Sequence, residues 1–140
     1  FHKEGEILPF GCVGLFAPRW FVSLWAVAPR NCSLRIWDIM MNEGTKILFR
    51  VSIYVLKMLQ PRLLKTFADD LFAECTLLQN SEDIAKEQFW KDDDKFIEEV
   101  FKVKLSGSQI TKLSASYRAK RAAAARAKAK KNLRHETKTL

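Results

Sequence analysis

The chain has 140 residues, with 24 Lys and Arg against 16 Asp and Glu, three Cys and an apolar fraction of 48%. That length suits one domain or part of a larger one, and the apolar fraction is enough for a packed core. The net charge of +8 is uneven: residues 1–100 hold 12 basic and 15 acidic side chains, a balance of −3, while residues 101–140 hold 12 basic and one acidic (Glu136), a balance of +11. This split excludes a uniformly basic nucleic-acid-binding globule, a disulfide scaffold and a wholly disordered chain. It leaves a slightly acidic, apolar body with a basic tail. The chain opens on Phe1 rather than Met, and a piece of a longer domain is the expectation.

Ile7 to Ala28 is the one passage that imitates a membrane segment, with Arg19 its only charge and Ala26-Val27-Ala28 mimicking a signal-cleavage pattern. Gly11, Gly14, Pro9 and Pro18 argue against a spanning helix there, and Arg19 near its midpoint would cost about 2.5–3.5 kcal/mol. A buried loop followed by a core helix is expected, with Pro18 in the helix's first turn. Trp20, Phe21, Leu24, Trp25 and Val27 then form an apolar stripe at helical spacing. Ala28-Pro29 ends it, because the residue before a proline avoids the α region.

Leu34, Ile36, Trp37, Ile39, Met40 and Met41 predict a second helix, closed by Asn42-Glu43-Gly44 with Gly44 at positive φ. Lys46 to Leu59 is apolar almost all round. Its charges, Lys46, Arg50 and Lys57, fall on one stripe, which predicts a buried central helix that Pro61 ends. Its all-round apolarity also predicts exposed apolar surface and a tendency to associate. Leu63, Leu64, Phe67, Ala68, Leu71, Phe72, Cys75 and Leu78 recur at i, i+4 and i+8, an amphipathic helix to about Gln79. Ser81 is a candidate cap for a segment carrying Ile84, Ala85, Phe89 and Trp90. Asp92-Asp93-Asp94 suits a helix N-terminus, where negative charge meets the dipole, and Phe96, Ile97, Val100 and Phe101 continue that helix. No strand-length alternation occurs, so the fold class is all-α.

Cys12, Cys32 and Cys75 are widely spaced, and His2 and His135 lie near opposite ends. No zinc-ligand spacing arises; neither metal nor cofactor is expected, and the cysteines read as buried reduced thiols. Ser106-Gly107-Ser108 is a flexible-looking joint between a body of residues 1–105 and a tail of residues 106–140. In the tail, Ile110, Leu113 and Tyr117 are the last apolar side chains at helical spacing. Residues 108–131 are rich in Ala, Lys and Arg and predict a helix of about 36 Å. Lys112, Arg118, Lys120, Arg121, Arg126, Lys128, Lys130 and Lys131 surround that helix rather than gather on one face. Insertion into a bilayer is therefore not expected. A solvated, partly helical extension with no dedicated ligand is the first reading. Contact with an anionic membrane surface or an acidic protein comes next, and phosphate-backbone binding to nucleic acid ranks lower because no aromatic follows Tyr117 for stacking.

Trp20-Phe21, Leu24, Pro29, Arg35-Ile36-Trp37-Asp38, Glu43-Gly44 and Leu48-Phe49-Arg50 occur in order within residues 16–57. This stretch resembles the C-terminal half of the TBC domain of Rab GTPase-activating proteins. The likeness is good over 16–60, loose over 61–105 and absent from the tail. It implies a helical bundle like the C-terminal subdomain of that domain, a basic helical extension, and a Rab-type small GTPase as partner in vesicle trafficking. It also implies a cytoplasmic setting at the periphery of endomembranes. Such proteins regulate an enzyme. They supply an arginine from I-x-x-D-x-x-R and a glutamine from Y-x-Q, a finger worth about 10³–10⁵ in rate.

Neither motif is present here: Tyr54 and Tyr117 lack a following Gln, and no arginine follows an Ile-x-x-Asp. In the family both motifs precede the matching segment, so the chain alone is expected to be inactive. Trp20, Trp37 and Phe49 are expected in the core. Arg35 and Asp38 can pair with each other or with nearby backbone. Glu43, Gly44 and Arg50 complete a motif whose role reads as mostly structural, with contact to the GTPase as the other reading. Two rivals from other classes are a non-catalytic interaction module on a TBC scaffold, and a protein acting on nucleic acid or anionic membrane through the tail.

Overall fold

The computed structural model describes the backbone of residues 10–66, 78–79 and 81–136, and the side chains of 13–63, 78–79 and 83–130. Contacts divide the chain into two units, Phe1–Lys104 and Leu105–Leu140. The first contains α1 (Phe10–Val22), α2 (Arg30–Glu43), α3 (Lys46–Thr66), the short α4 (Ser81–Ala85), a 3-10 turn at Gln88–Trp90 and α5 (Asp93–Phe101). The second is a single helix, α6 (Gly107–Glu136). The described residues are all helix and turn, and the protein is all-α.

α3 is the spine of the first unit. Ile47, Val51, Val55, Leu59 and Leu63 are buried at every fourth position, with Leu48 and Tyr54 beside them. Spacing of four keeps one row of side chains on one face of a helix, and α2 and α5 pack against it. Pro61 does not end α3, contrary to the sequence expectation: the helix continues to Thr66 with the proline inside. Proline costs the Lys57 carbonyl its partner, but the turn beyond it buries Leu63, a gain of about 1.5–3 kcal/mol for such a side chain. The amphipathic pattern expected from Leu64 to Cys75 lies mostly outside the described residues; Leu78, at its end, is buried.

The first helix also differs from the expectation. α1 begins at Phe10, includes Gly14, and carries Pro18 in its interior rather than in its first turn. Phe16 and Trp20, one turn apart and both fully buried, anchor it against the roughly 1 kcal/mol cost of each helical glycine. It then stops at Val22, so Leu24, Trp25 and Val27 are not part of a helical stripe. Trp25 N donates to Trp20 O at 2.8 Å and Leu24 N to Phe21 O at 3.2 Å, while Leu24 and Trp25 adopt φ of 51° and 64°. This pair of bonds, six-to-one outside five-to-two, is the Schellman helix ending. Its customary apolar clasp is made by two indoles, Trp20 and Trp25, whose ring centroids lie 4.4 Å apart.

The Trp20–Trp25 pair starts a chain of aromatic contacts across the unit. Phe16 lies 4.5 Å from Trp20, Trp25 lies 6.2 Å from Trp90, and Trp90 lies 4.5 Å from Phe96, which meets Tyr54 edge-on at 5.5 Å. Buried indoles need partners for their N–H groups; Trp20, Trp25 and Trp90 have them, as does the half-buried Trp37. Trp20 Nε1 donates to Leu78 O, Trp25 Nε1 to Ser52 Oγ and Leu48 O, Trp37 Nε1 to Leu24 O and Trp90 Nε1 to Ile84 O. Each bond ties an apolar anchor to the backbone or hydroxyl of another segment.

Two of the remaining ends follow the sequence closely. Gly44 closes α2 at φ 80°, with its N–H on Met40 O at 2.8 Å. Asp92 caps α5 by accepting from Lys95 N at 3.0 Å, with Asp93 and Asp94 in the first turn. Phe96, Ile97 and Val100 are buried, whereas Phe101, expected on the same stripe, faces solvent beneath the Arg50 guanidinium, 5.5 Å from its ring centre. The segment after Ser81 is not one helix: α4 ends at Ala85 and a separate 3-10 turn carries Phe89 and Trp90. In the second unit, Ser106-Gly107-Ser108 is a helix start rather than a loose joint. Gln109 N donates to Ser106 Oγ and Ser106 N donates back to Gln109 Oε1, a capping box.

Candidate functional site

The motif residues of α2 and the start of α3 are spent mainly on joining helices. Arg35, on α2, reaches the N-terminus of α5, placing Nη1 2.5 Å from Asp94 Oδ1 and 3.8 Å from Asp93 Oδ2. It does not pair with Asp38, as the three-residue spacing had suggested. Two carboxylates clustered at the α5 N-terminus offer a guanidinium more than one carboxylate a turn away. Asp38 remains exposed, and its carbonyl accepts from Asn42 Nδ2 at 2.9 Å. The hydrogen bond to Asp94, then that carboxylate's charge, raises the Arg35 pKa further above its ordinary value.

Trp37 leans back over the turn after α1, with its indole N–H 2.7 Å from Leu24 O. Glu43 and Arg50 approach across the α2–α3 corner at 3.7 Å. The Arg50 side chain is largely covered, and its Nε has no hydrogen-bond partner. Trp20 is fully buried. Phe49 is not core: it is 37% exposed and stacks 4.9 Å from Phe21, because the inward row of α3 runs through residues 47, 51 and 55, leaving 49 and Ile53 on the outer side.

One open cleft of about 410 Å³ lies beside this region, lined by Ala26, Ala28, Arg30, Ser33, Leu34 and Trp37. Ser33 is unsuited as a nucleophile, since its hydroxyl is turned onto Trp25 O and Ala28 O at 3.1 and 3.0 Å. Cys32 is buried as expected; burial, then Asp93, pushes its thiol up to about 11 against the lowering pull of Arg35, so it stays protonated. Cys12 and Cys75 lie outside the described side chains. No three His, Cys, Asp or Glu among the described residues converge as metal ligands, and no described helix is long and apolar enough to cross a membrane.

In α6, Lys112, Arg118, Lys120, Arg121, Arg126, Lys128 and Lys130 are all exposed; Lys131 lies in the helix, with its side chain outside the described set. Sequence reasoning missed Asp93 and Asp94 as partners of Arg35, having read them only as dipole charges. It also missed the cleft and the left-handed pair Leu24-Trp25. The one available signal was the unusual Arg35-x-x-Asp38 and Asp92-Asp93-Asp94 charge density on an otherwise apolar body.

The geometry defines an all-α scaffold in which side chains of α2 and α3 fasten α1, α2, α3 and α5 together. Residues 12–64 match the family model described as the Rab-GTPase-TBC domain, and the chain carries a part of such a domain. The growth hormone-regulated TBC protein 1 of mouse is 34% identical over 108 residues, 75% of this chain and 29% of that protein. Its human counterpart is 34% identical over 110 residues, 76% and 31% respectively. The human ecotropic viral integration site 5 protein homolog is 30% identical over 104 residues, 74% of this chain but 12% of that protein. The chain thus spans between about a tenth and a third of the length of these relatives. No solved structure matches it significantly.

Proposed function

We propose that the chain is the scaffold portion of a GTPase-activating protein for Rab-type small GTPases, working at endomembrane surfaces and supplying neither catalytic finger itself. The observation that carries this reading is the match of residues 12–64 to the Rab-GTPase-TBC domain, on a segment whose motif side chains are engaged in ties between helices. Activation of GTP hydrolysis needs a cation at the transferred phosphoryl group and a residue that orients water. Arg35 is held by Asp94, Arg50 lies over Phe101, and no Y-x-Q occurs. In this reading Trp20, Arg35, Trp37, Glu43, Gly44 and Arg50 hold the frame on which fingers elsewhere in the domain are presented.

A second reading, a non-catalytic interaction module, draws on one observation. Leu34, Asp38 and Met41 share an exposed face of α2 at i, i+4 and i+7. One experiment separates the two. The chain replaces the matching segment of a TBC protein whose activation of a Rab has first been measured, and single-turnover GTP hydrolysis is followed for the chimera and for the chain alone. The scaffold reading expects stimulation by the chimera and none by the chain. Stimulation by the chain alone would refute it, and a folded but inactive chimera would favour the module.

A further inference from the structure

We propose that α6 binds the phosphate backbone of duplex DNA, lying in the major groove without reading sequence. Three observations carry this. First, Lys112, Arg118, Lys120, Arg121, Arg126, Lys128 and Lys130 are exposed on one uninterrupted helix. At 100° per residue they leave no angular gap wider than about 80° around its axis. Second, the positions between them from Arg118 to Lys130 are all alanine. The cylinder is therefore slender, nearer the 10 Å end of helix diameters, and suits a B-form major groove about 12 Å wide. Third, no acidic residue interrupts the array, so nothing in it repels phosphate.

The all-round arrangement decides among anionic partners. A bilayer or an acidic protein surface touches one side of a helix and leaves the far cations facing water. α6 offers a bilayer no broad apolar face, since Ile110, Leu113 and Tyr117 occupy only its first turns. A groove has two phosphate walls, and a helix within it presents cations to both, as the basic-region helices of zipper proteins do. From Lys112 to Lys130 the helix rises about 27 Å, the length of roughly eight base pairs. Between Arg118 and Lys130 no Asn, Gln, Asp or Glu occurs to read adenine or cytosine, so the contacts fall mainly on phosphate, with guanine edges the one base contact these cations can add.

The test uses the full 140-residue chain and an isomer of identical composition. Arg118→Ala with Ala119→Arg, Arg121→Ala with Ala123→Arg, and Lys128→Ala with Ala127→Lys gather the same seven cations into an arc of about 120°. Binding is followed by fluorescence anisotropy with a labelled 20-base-pair mixed-sequence DNA duplex, from 50 to 200 mM salt. The probes compared with it are a matching RNA duplex, vesicles of three parts phosphatidylcholine to one part phosphatidylserine, and poly-glutamate. The expected slope of log affinity on log salt is about −6 for the native chain if all seven cations engage, a loss of about 10³–10⁴ over that range. The isomer, reaching one wall, should show about half that slope and at least a tenfold weaker affinity at 50 mM.

The RNA duplex, with its narrow major groove, should bind more weakly than DNA. A second variant, Lys120→Gln with Lys128→Gln and Lys130→Gln, should lower the slope by about 3. No duplex binding at 50 mM salt would overturn the proposal. So would equal binding by the isomer, or tighter binding of RNA than of DNA. Preference for vesicles or poly-glutamate, strengthened in the isomer, would assign the helix to a one-sided anionic surface instead.

Discussion

The helix ending at Leu24-Trp25 can be tested by reversing an ordinary preference. In a helix interior, glycine is less stable than alanine by about 0.5–1 kcal/mol, because it gives up more backbone freedom on folding. Leu24 sits at φ 51°, where an L-residue carries a penalty of about 1–2 kcal/mol that glycine does not. Leu24→Ala and Leu24→Gly both remove the partly exposed side chain, so its contacts cancel in the comparison. What remains is the backbone difference, about 0.5–1 kcal/mol in favour of glycine. For a body of this size that corresponds to a midpoint roughly 2–8 °C higher for Leu24→Gly. Thermal and urea unfolding followed by tryptophan fluorescence would measure it, since Trp20, Trp25 and Trp37 all touch this turn. Equal stabilities, or alanine above glycine, would refute the left-handed ending and return residues 23–27 to a continuing helix.

Four further outcomes are expected. Asp92→Ala should cost about 1 kcal/mol and Asp92→Ser much less, measured by urea unfolding, because the lost element is the cap on Lys95 N. Trp37→Phe removes the 2.7 Å bond to Leu24 O and should cost about 1 kcal/mol, with Trp20 fluorescence still reporting a folded core. The Cys32 thiol, pushed up to about 11 when folded, keeps a proton that the unfolded thiol gives up near 9. Its contribution is therefore intact below pH 9 and lost as pH rises from 9 to 11; Cys32→Ala should flatten that fall in urea midpoints, and thiol labelling at pH 8 should reach Cys32 only on unfolding. Finally, Phe49 and Ile53, 37% and 42% exposed on the outer side of α3, should make the chain self-associate. Sedimentation should show Phe49→Lys with Ile53→Lys shifting it toward monomer.

The all-α class and most helix centres were legible because apolar spacing of three and four is a strong signal wherever a helix has one buried face. The α2 end was legible for a sharper reason: Gly44 is chemically suited to the φ of 80° that it adopts. The α1 end was not, because leucine and tryptophan carry no local mark of a left-handed turn. Their conformation is imposed by what Trp25 gains on meeting Trp20, Ser52 and Trp90, partners 5, 27 and 65 residues away. Prolines misled in the same way. Pro18 and Pro61 are local breakers, yet Phe16 just before the one and Leu63 just beyond the other are buried and keep the helix continuous through each.

The site was legible as a motif and illegible as a set of bonds. Arg35 and Asp38 look like partners when only the helix that holds both is considered. The true partners, Asp93 and Asp94, are nearly sixty residues away and become available only when α5 docks with its acidic N-terminus toward α2. Those aspartates therefore serve two purposes at once, favouring the α5 dipole and neutralising a guanidinium from the neighbouring helix. Reversing Arg35 to Glu should accordingly disturb the seating of α5 more than Arg35→Gln does. The measurable consequence is faster hydrogen exchange at Phe96 and Ile97, which are buried between α5 and the spine. Equal exchange in both variants would mean that packing alone seats the helix and that the arginine merely follows.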